Sequence, residues 1–97
     1  MNAQQKGTRD PLTGAEDYDE FGGAFDAERG RAQEHGTSVS LGLVDVDRFA
    51  QINSDHGHET GDCVLQNVAA HLAEAGDGAG RVFRCGGDEF LVLLPAT

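Results

Sequence analysis

Two acidic pairs are the residues best suited to chemistry. Asp45 and Asp47 stand two apart at the end of "SVSLGLVDVD", and Asp88 and Glu89 stand side by side after two glycines in "RCGGDEFLVLLP". In extended backbone, alternate side chains share a face, so Asp45 and Asp47 would offer both carboxylates to one side. Carboxylates brought together repel unless a cation or a proton is shared between them. The calcium-loop pattern fails, because its fifth, sixth and twelfth positions here are Phe49, Ala50 and His56. Hard oxygens without that loop suit Mg²⁺, which takes few carboxylates and keeps waters and substrate phosphates. Gly86 and Gly87 permit positive φ and close approach of a ligand to the backbone. Two plainer readings stay open at this level: Asp47 caps the helix that follows, and the acids beside the glycines are solvated turn residues.

These residues need elements to hold them. "DPLTG" (Asp10–Gly14) reads as a turn. A helix is expected from Ala15 to His35, with Tyr18, Phe21 and Phe25 on one face and Gly36 as its cap. Ser38–Asp47 is a strand by alternation, "RFAQINSD" a short helix, and "HGHETG" a glycine-punctuated loop. Val64, Leu65, Val68 and Leu72 stripe a second long helix over Gly61–Ala75. "GDGAG" is a connector, and "RVFRC" and "EFLVLLP" form two strands joined by a tight turn.

The chain has 97 residues, 38% hydrophobic, which fits one small globular domain. Residues 1–9 read as a flexible terminus and residues 10–97 as the folded part. A formal net charge of −10 argues against wrapping nucleic acid, whose phosphates need Lys and Arg. Phosphorylated ligands are still compatible if divalent cations lie between. No apolar run has the length of a membrane span, and Cys63 and Cys85 fit neither a finger nor a CxxC. Both read as reduced thiols, so a cytoplasmic location without membrane association is expected. His56, His58 and Glu59 give no complete tetrahedral zinc set by spacing.

Three segments together carry a family resemblance. "RCGGDEF" (Arg84–Phe90) resembles the signature of the GGDEF family, the diguanylate cyclases. "DVDRFAQINSDHGHETGD" (Asp45–Asp62) is similar, without a gap, to the family's D-x-D-x-F-K-x-I-N-D-x-x-G-H-x-x-G-D, and "DPLTG" is similar to its D-x-L-T-G. The resemblance implies an α/β (α+β) fold, a split βαβ sheet of the nucleotidyl-cyclase and polymerase-palm kind with helices packed on it. It implies condensation of two GTP into cyclic di-GMP with Mg²⁺, or Mn²⁺ in its place. Asp45 and the carbonyl of Val46 would ligate the metal, with Asp88 completing the site and Glu89 beside it. Asp88, with Glu89, would also be catalytic, taking the proton of the 3′-hydroxyl. Asn53 and Asp62 would hydrogen-bond the guanine edge. His58 would be a further substrate contact, and the backbone at Phe49 and Gly87 would approach the nucleotide. Two GTP-loaded sites must face each other, so a homodimer is implied for turnover.

Several positions depart from the family pattern. "AEDY" (Ala15–Tyr18) replaces L-x-N-R, Ala50 replaces Lys and Ser54 replaces Asp. The product-inhibition motif R-x-x-D aligns with Asp77 and Gly80, so that site is expected to be absent. The family's later helix, strand and basic segment have no counterpart up to Thr97, so the domain is expected to be incomplete at its C-terminus, with a free edge on Ser38–Asp47. The alternative function is a catalytically silent module that binds nucleotide or protein.

Overall fold

The computed structural model describes residues 9–75 and 80–95. In chain order the elements are β1 (Glu16–Asp17), a 3-10 turn (Tyr18–Glu20), α1 (Phe21–His35), β2 (Val39–Asp45), α2 (Phe49–His56), α3 (His58–Ala75), β3 (Arg81–Arg84) and β4 (Glu89–Pro95). The strands form one mixed sheet in the order β1-β3-β4-β2. β3 and β4 make the expected antiparallel hairpin, and β2 pairs antiparallel with β4 along its whole length, from Val39↔Pro95 to Asp45↔Glu89. Among the described residues β2 lies at one margin of the sheet.

Register decides which side chains meet. Val39, Leu41, Leu43 and Asp45 share a face with Glu89, Leu91 and Leu93, because directly paired residues point the same way. α1 covers one end of that face, where Ala24, Phe83 and Leu93 are buried and Phe21, Phe25, Val39 and Leu91 pack around them. The ring of Phe21 stacks on Phe25 at 5.8 Å and meets Phe83 edge-on at 5.3 Å, and Tyr18 extends the stack outward. Leu41 and Leu43 lie beyond α1 and are 52% and 67% exposed. The opposite face is covered by α2 and α3, which bury Leu65 and Ala69 against Val82 and Phe90, with Val44, Phe49, Val68 and Leu72 at the margin. Phe83, Phe90, Leu65 and Leu93 are the largest fully buried side chains. Each contributes about 1.5–3 kcal/mol through its burial, and together they clamp the hairpin between the two helical layers.

Several boundaries differ from the sequence expectation. The first helix begins at Phe21, not Ala15, because Glu16 and Asp17 pair in parallel with Phe83 and Arg84 and add a short strand. A long-range partner, the Arg81 guanidinium donating to Glu16 from 2.8 Å, holds that segment extended against its local helical preference. Gly36 caps α1 as expected, with φ 69°. The "HGHETG" segment is not a loop: Gly57 alone, at φ 91°, separates α2 from α3, and α3 starts at His58. Glycine takes that positive φ without the steric cost a Cβ would bring. "GDGAG" and the motif position Asp77 lie outside the described residues, apart from Gly80. Among the described residues no helix is long and apolar enough to cross a membrane.

Candidate functional site

The two acidic pairs approach each other through backbone pairing. Asp45 and Glu89 are directly opposite in the β2–β4 ladder, and the Val46 N–H donates to the Asp88 carbonyl at 3.0 Å just past it. Opposed residues of an antiparallel pair carry their Cβ atoms about 4.5–5.5 Å apart, so like charges there are destabilising. Among the described residues no cation pairs with the Asp45, Asp88 or Glu89 side chains. No three His, Cys, Asp or Glu side chains converge there as a cage. The residues still fit Mg²⁺, which needs one or two carboxylates, a carbonyl such as that of Val46, and oxygens from water and phosphate.

Asp47 does not join them. The strand ends at Asp45, and the chain turns through Asp47 and Arg48, so the extended geometry that would have aligned Asp45 with Asp47 stops short. Nor does Asp47 cap α2. The capping position is Arg48, left-handed at φ 57° and ψ 35°, with no side-chain cap bond. That is a rare conformation for a residue with a Cβ. A concavity of about 320 Å³ opens there, lined by Asp47, Arg48, Gln51, Ile52, Asp55 and His56. Phe49 opens α2 with its ring half-buried toward the core.

The glycines of the hairpin work differently from expectation. Neither Gly86 nor Gly87 has positive φ. Gly86 lies against the Glu89 side chain: a Cβ on Gly86 would stand 2.9 Å from Glu89 Oε1 and would shift that carboxylate. A Cβ on Gly87 would meet nothing within 4 Å, so that side of the residue is open. The turn is held from below by Arg84, whose guanidinium donates to the Gly86 carbonyl at 3.3 Å, the Gly87 carbonyl at 2.7 Å and Asp10 Oδ2 at 2.9 Å. Asp10 also accepts from the Thr13 N–H and hydroxyl, so the "DPLTG" turn and the acidic hairpin are one hydrogen-bonded unit. Burial works to raise the Asp10 pKa, but the Thr13 and Arg84 hydrogen bonds outweigh it and hold the carboxyl below its ordinary value. Sequence reasoning missed Arg84 and Asp10 as positioning groups. The signal was a cation in the hairpin and an anion in the turn, but their contact spans 74 positions.

The remaining predicted residues sit at the α2–α3 corner. Asn53 is half-buried on α2, whereas His58 and Asp62 are exposed on the first turns of α3. Next to Cys85, burial and the Glu89 charge push the thiol pKa up, which suits a packed side chain and not a nucleophile. A concavity of about 480 Å³ between the "DPLTG" turn, α3 and β3 contains none of the acidic-site residues. The acidic site is an open end of the sheet.

A family model described as "Diguanylate cyclase, GGDEF domain" matches residues 7–97. The chain belongs to the GGDEF family. The diguanylate cyclase DgcP of Pseudomonas aeruginosa is 39% identical over 94 residues, which is 97% of this chain and 14% of that protein. The GGDEF domain of DgcB from Caulobacter crescentus, solved in complex with c-di-GMP, superposes with a TM-score of 0.83 at 31% identity, covering 100% of this chain and 53% of that one. The isolated GGDEF domain of TpbB (YfiN) from Pseudomonas aeruginosa gives 0.88 at 36% identity, covering 93% of this chain and 52% of that one. The chain thus spans about half of those solved GGDEF chains and a small part of the curated relative. The mixed sheet and helical layers described above are the GGDEF fold expected from the motifs.

Proposed function

We propose that this GGDEF domain binds GTP with Mg²⁺ and, as a homodimer, condenses two GTP into cyclic di-GMP with release of pyrophosphate. The observation that carries the reading is the Asp45↔Glu89 pair, two acidic residues opposed in the ladder with no cation on either among the described residues, beside the Val46–Asp88 hydrogen bond. A similar sequence in a diguanylate cyclase, DgcP, supports it.

Each residue then has a chemical task. Asp45, the Val46 carbonyl, Asp88 and Glu89 hold the metal, which when bound offsets charge on the reacting and leaving phosphate oxygens. Mn²⁺ can substitute in such an oxygen site. Asp88 accepts the proton of the 3′-hydroxyl that attacks the α-phosphate of the facing nucleotide. Asp62 accepts from the guanine ring N–H and exocyclic amine together, and Asn53 adds a contact to the same edge. The turn at Phe49 and the open side of Gly87 admit the phosphates, and His58 is a further substrate contact. Arg84 keeps the hairpin at the height this requires.

A second reading has an observation of its own. Leu41 and Leu43 stand exposed beside the acidic end of the sheet, which favours a module that binds nucleotide or a protein partner without turnover. One incubation separates the two. Purified chain with GTP and Mg²⁺ is expected to yield cyclic di-GMP by mass spectrometry, and an Asp88→Ala sample none. Absence of product from a chain that melts cooperatively, yet binds GTP, leaves the silent module.

A further inference from the structure

Gly61 lies on the first turns of α3 and is buried. Its φ is not positive, so helix geometry does not call for glycine, and alanine is the better helix former. What excludes a larger residue is a neighbour. A Cβ at this position would stand 1.8 Å from Asn53 Oδ1, 2.9 Å from Asn53 Cγ and 3.3 Å from Phe49 Cζ. The first two contacts are impossible for non-bonded atoms. Gly22, Gly23 and Gly30, which interrupt α1, show the contrast: a Cβ on any of them meets nothing within 4 Å. Of these helical glycines, only Gly61 has its space claimed by another side chain.

The claim is made across the sharp corner at Gly57. The Gly57 N–H donates to the Asn53 carbonyl at 2.9 Å and the Gly61 N–H to the Gly57 carbonyl at 3.2 Å, so the end of α2 and the start of α3 are fixed against each other. Over that corner the Asn53 carboxamide lies on the α3 backbone, next to the residue that precedes Asp62. Among the described residues no protein group hydrogen-bonds this carboxamide, although its residue is half-buried. A half-exposed carboxamide without a protein partner is open to water and to a ligand. Its place is therefore set by shape, and its hydrogen-bonding capacity is left for a ligand.

We propose that Gly61 is the positioning residue for Asn53: its missing side chain lets the Asn53 carboxamide lie across the α2–α3 corner beside Asp62, and so sets the selectivity for guanine. The selectivity half rests on Asn53 contacting the guanine edge, as read above. The positioning half rests on packing alone. Asn53 Oδ1 is the far end of a side chain that can rotate, so Gly61→Ala displaces the carboxamide and leaves the fold intact.

Four variants of the full chain test this: Gly61→Ala, Asn53→Ala, the double variant, and Gly30→Ala as a helix-glycine control. In the free protein, the Asn53 side-chain amide resonances are expected to move in Gly61→Ala and to stay in place in Gly30→Ala. Competition against a fluorescent GTP analogue in Mg²⁺ reads selectivity. Gly61→Ala is expected to weaken GTP about three- to tenfold, the worth of a hydrogen bond. ATP should be unchanged and the melting temperature should not fall. In the Asn53→Ala background the Gly61→Ala change should cost nothing further. Unmoved Asn53 resonances overturn the positioning role. A GTP loss that is the same in both backgrounds overturns the route through Asn53. An Asn53→Ala chain that binds GTP as tightly as the parent, or a parent that binds none, overturns the guanine role of Asn53 and the selectivity claim with it.

Discussion

The Arg84 guanidinium donates to the Asp10 carboxylate at 2.9 Å, across 74 positions of sequence. Both side chains are about four-fifths shielded from solvent, at 20% and 18% exposure, so the pair is screened less than a surface bridge. Because the same guanidinium holds the Gly86 and Gly87 carbonyls, the contact transmits the position of the "DPLTG" turn to the acidic hairpin. Arg84→Ala should lower stability by about 1–3 kcal/mol, since it leaves a shielded carboxylate and two carbonyls short of a donor. Urea denaturation measures this directly, and a loss within experimental error would remove Arg84 from its holding role.

Asp10 also predicts a pH dependence. Its folded pKa lies below the ordinary 3.8, so its contribution to stability is complete above that value and is lost as pH falls through the lower, folded one. Asp10→Asn should therefore destabilise the chain at pH 7 while flattening the acid limb of the stability curve below about pH 4. Melts across pH 2–7 for both proteins check the sign. Parallel acid limbs would contradict it.

Like charges facing each other at Asp45 and Glu89 predict a metal effect visible without turnover. In chelator, Glu89→Gln should raise the melting temperature by roughly 1–5 °C, because removing a cross-strand repulsion is worth about 0.2–1 kcal/mol in a domain this small. Mg²⁺ should raise the parent melt and move the variant less. A parent melt indifferent to Mg²⁺ and Mn²⁺ would count against metal at this end of the sheet.

Base choice should depend on Asp62. It is exposed on α3, so Asp62→Ala should leave stability within about 0.5 kcal/mol of the parent. GTP should weaken relative to ATP by about tenfold or more, the loss of a charge-assisted pair of hydrogen bonds. Equal nucleotide preference in both proteins would sink the assignment.

Two leucines on one face of the β2–β4 ladder should differ sharply. Leu93 is fully buried under α1 and Leu43 is 67% exposed, although both lie on one face of the sheet. Leu93→Ala should cost about 2–5 kcal/mol and Leu43→Ala less than about 1 kcal/mol. Comparable losses would mean that the outer part of this face is covered in solution.

Much of the molecule was legible in its residue order. Alternation marked β2, apolar runs on either side of the glycine turn marked the hairpin strands, the stripe from Val64 to Leu72 marked α3, and Gly36 marked the end of α1, because periodicity and special backbone conformations are local properties. Three motifs in order identified the family, and the mixed α+β fold class followed from it. The rest depended on contacts between distant segments. Glu16 and Asp17 are a strand only because β3 and the Arg81 guanidinium are there to pair with them. Asp45 meets Glu89, and not Asp47, because ladder register outranks spacing along the chain. The space at Gly61 is taken by the Asn53 side chain on another helix, and the Glu89 carboxylate lies beside Gly86. Local sequence set which elements form; the register of β2 on β4 and the packing of α2 on α3 decided which side chains could act together.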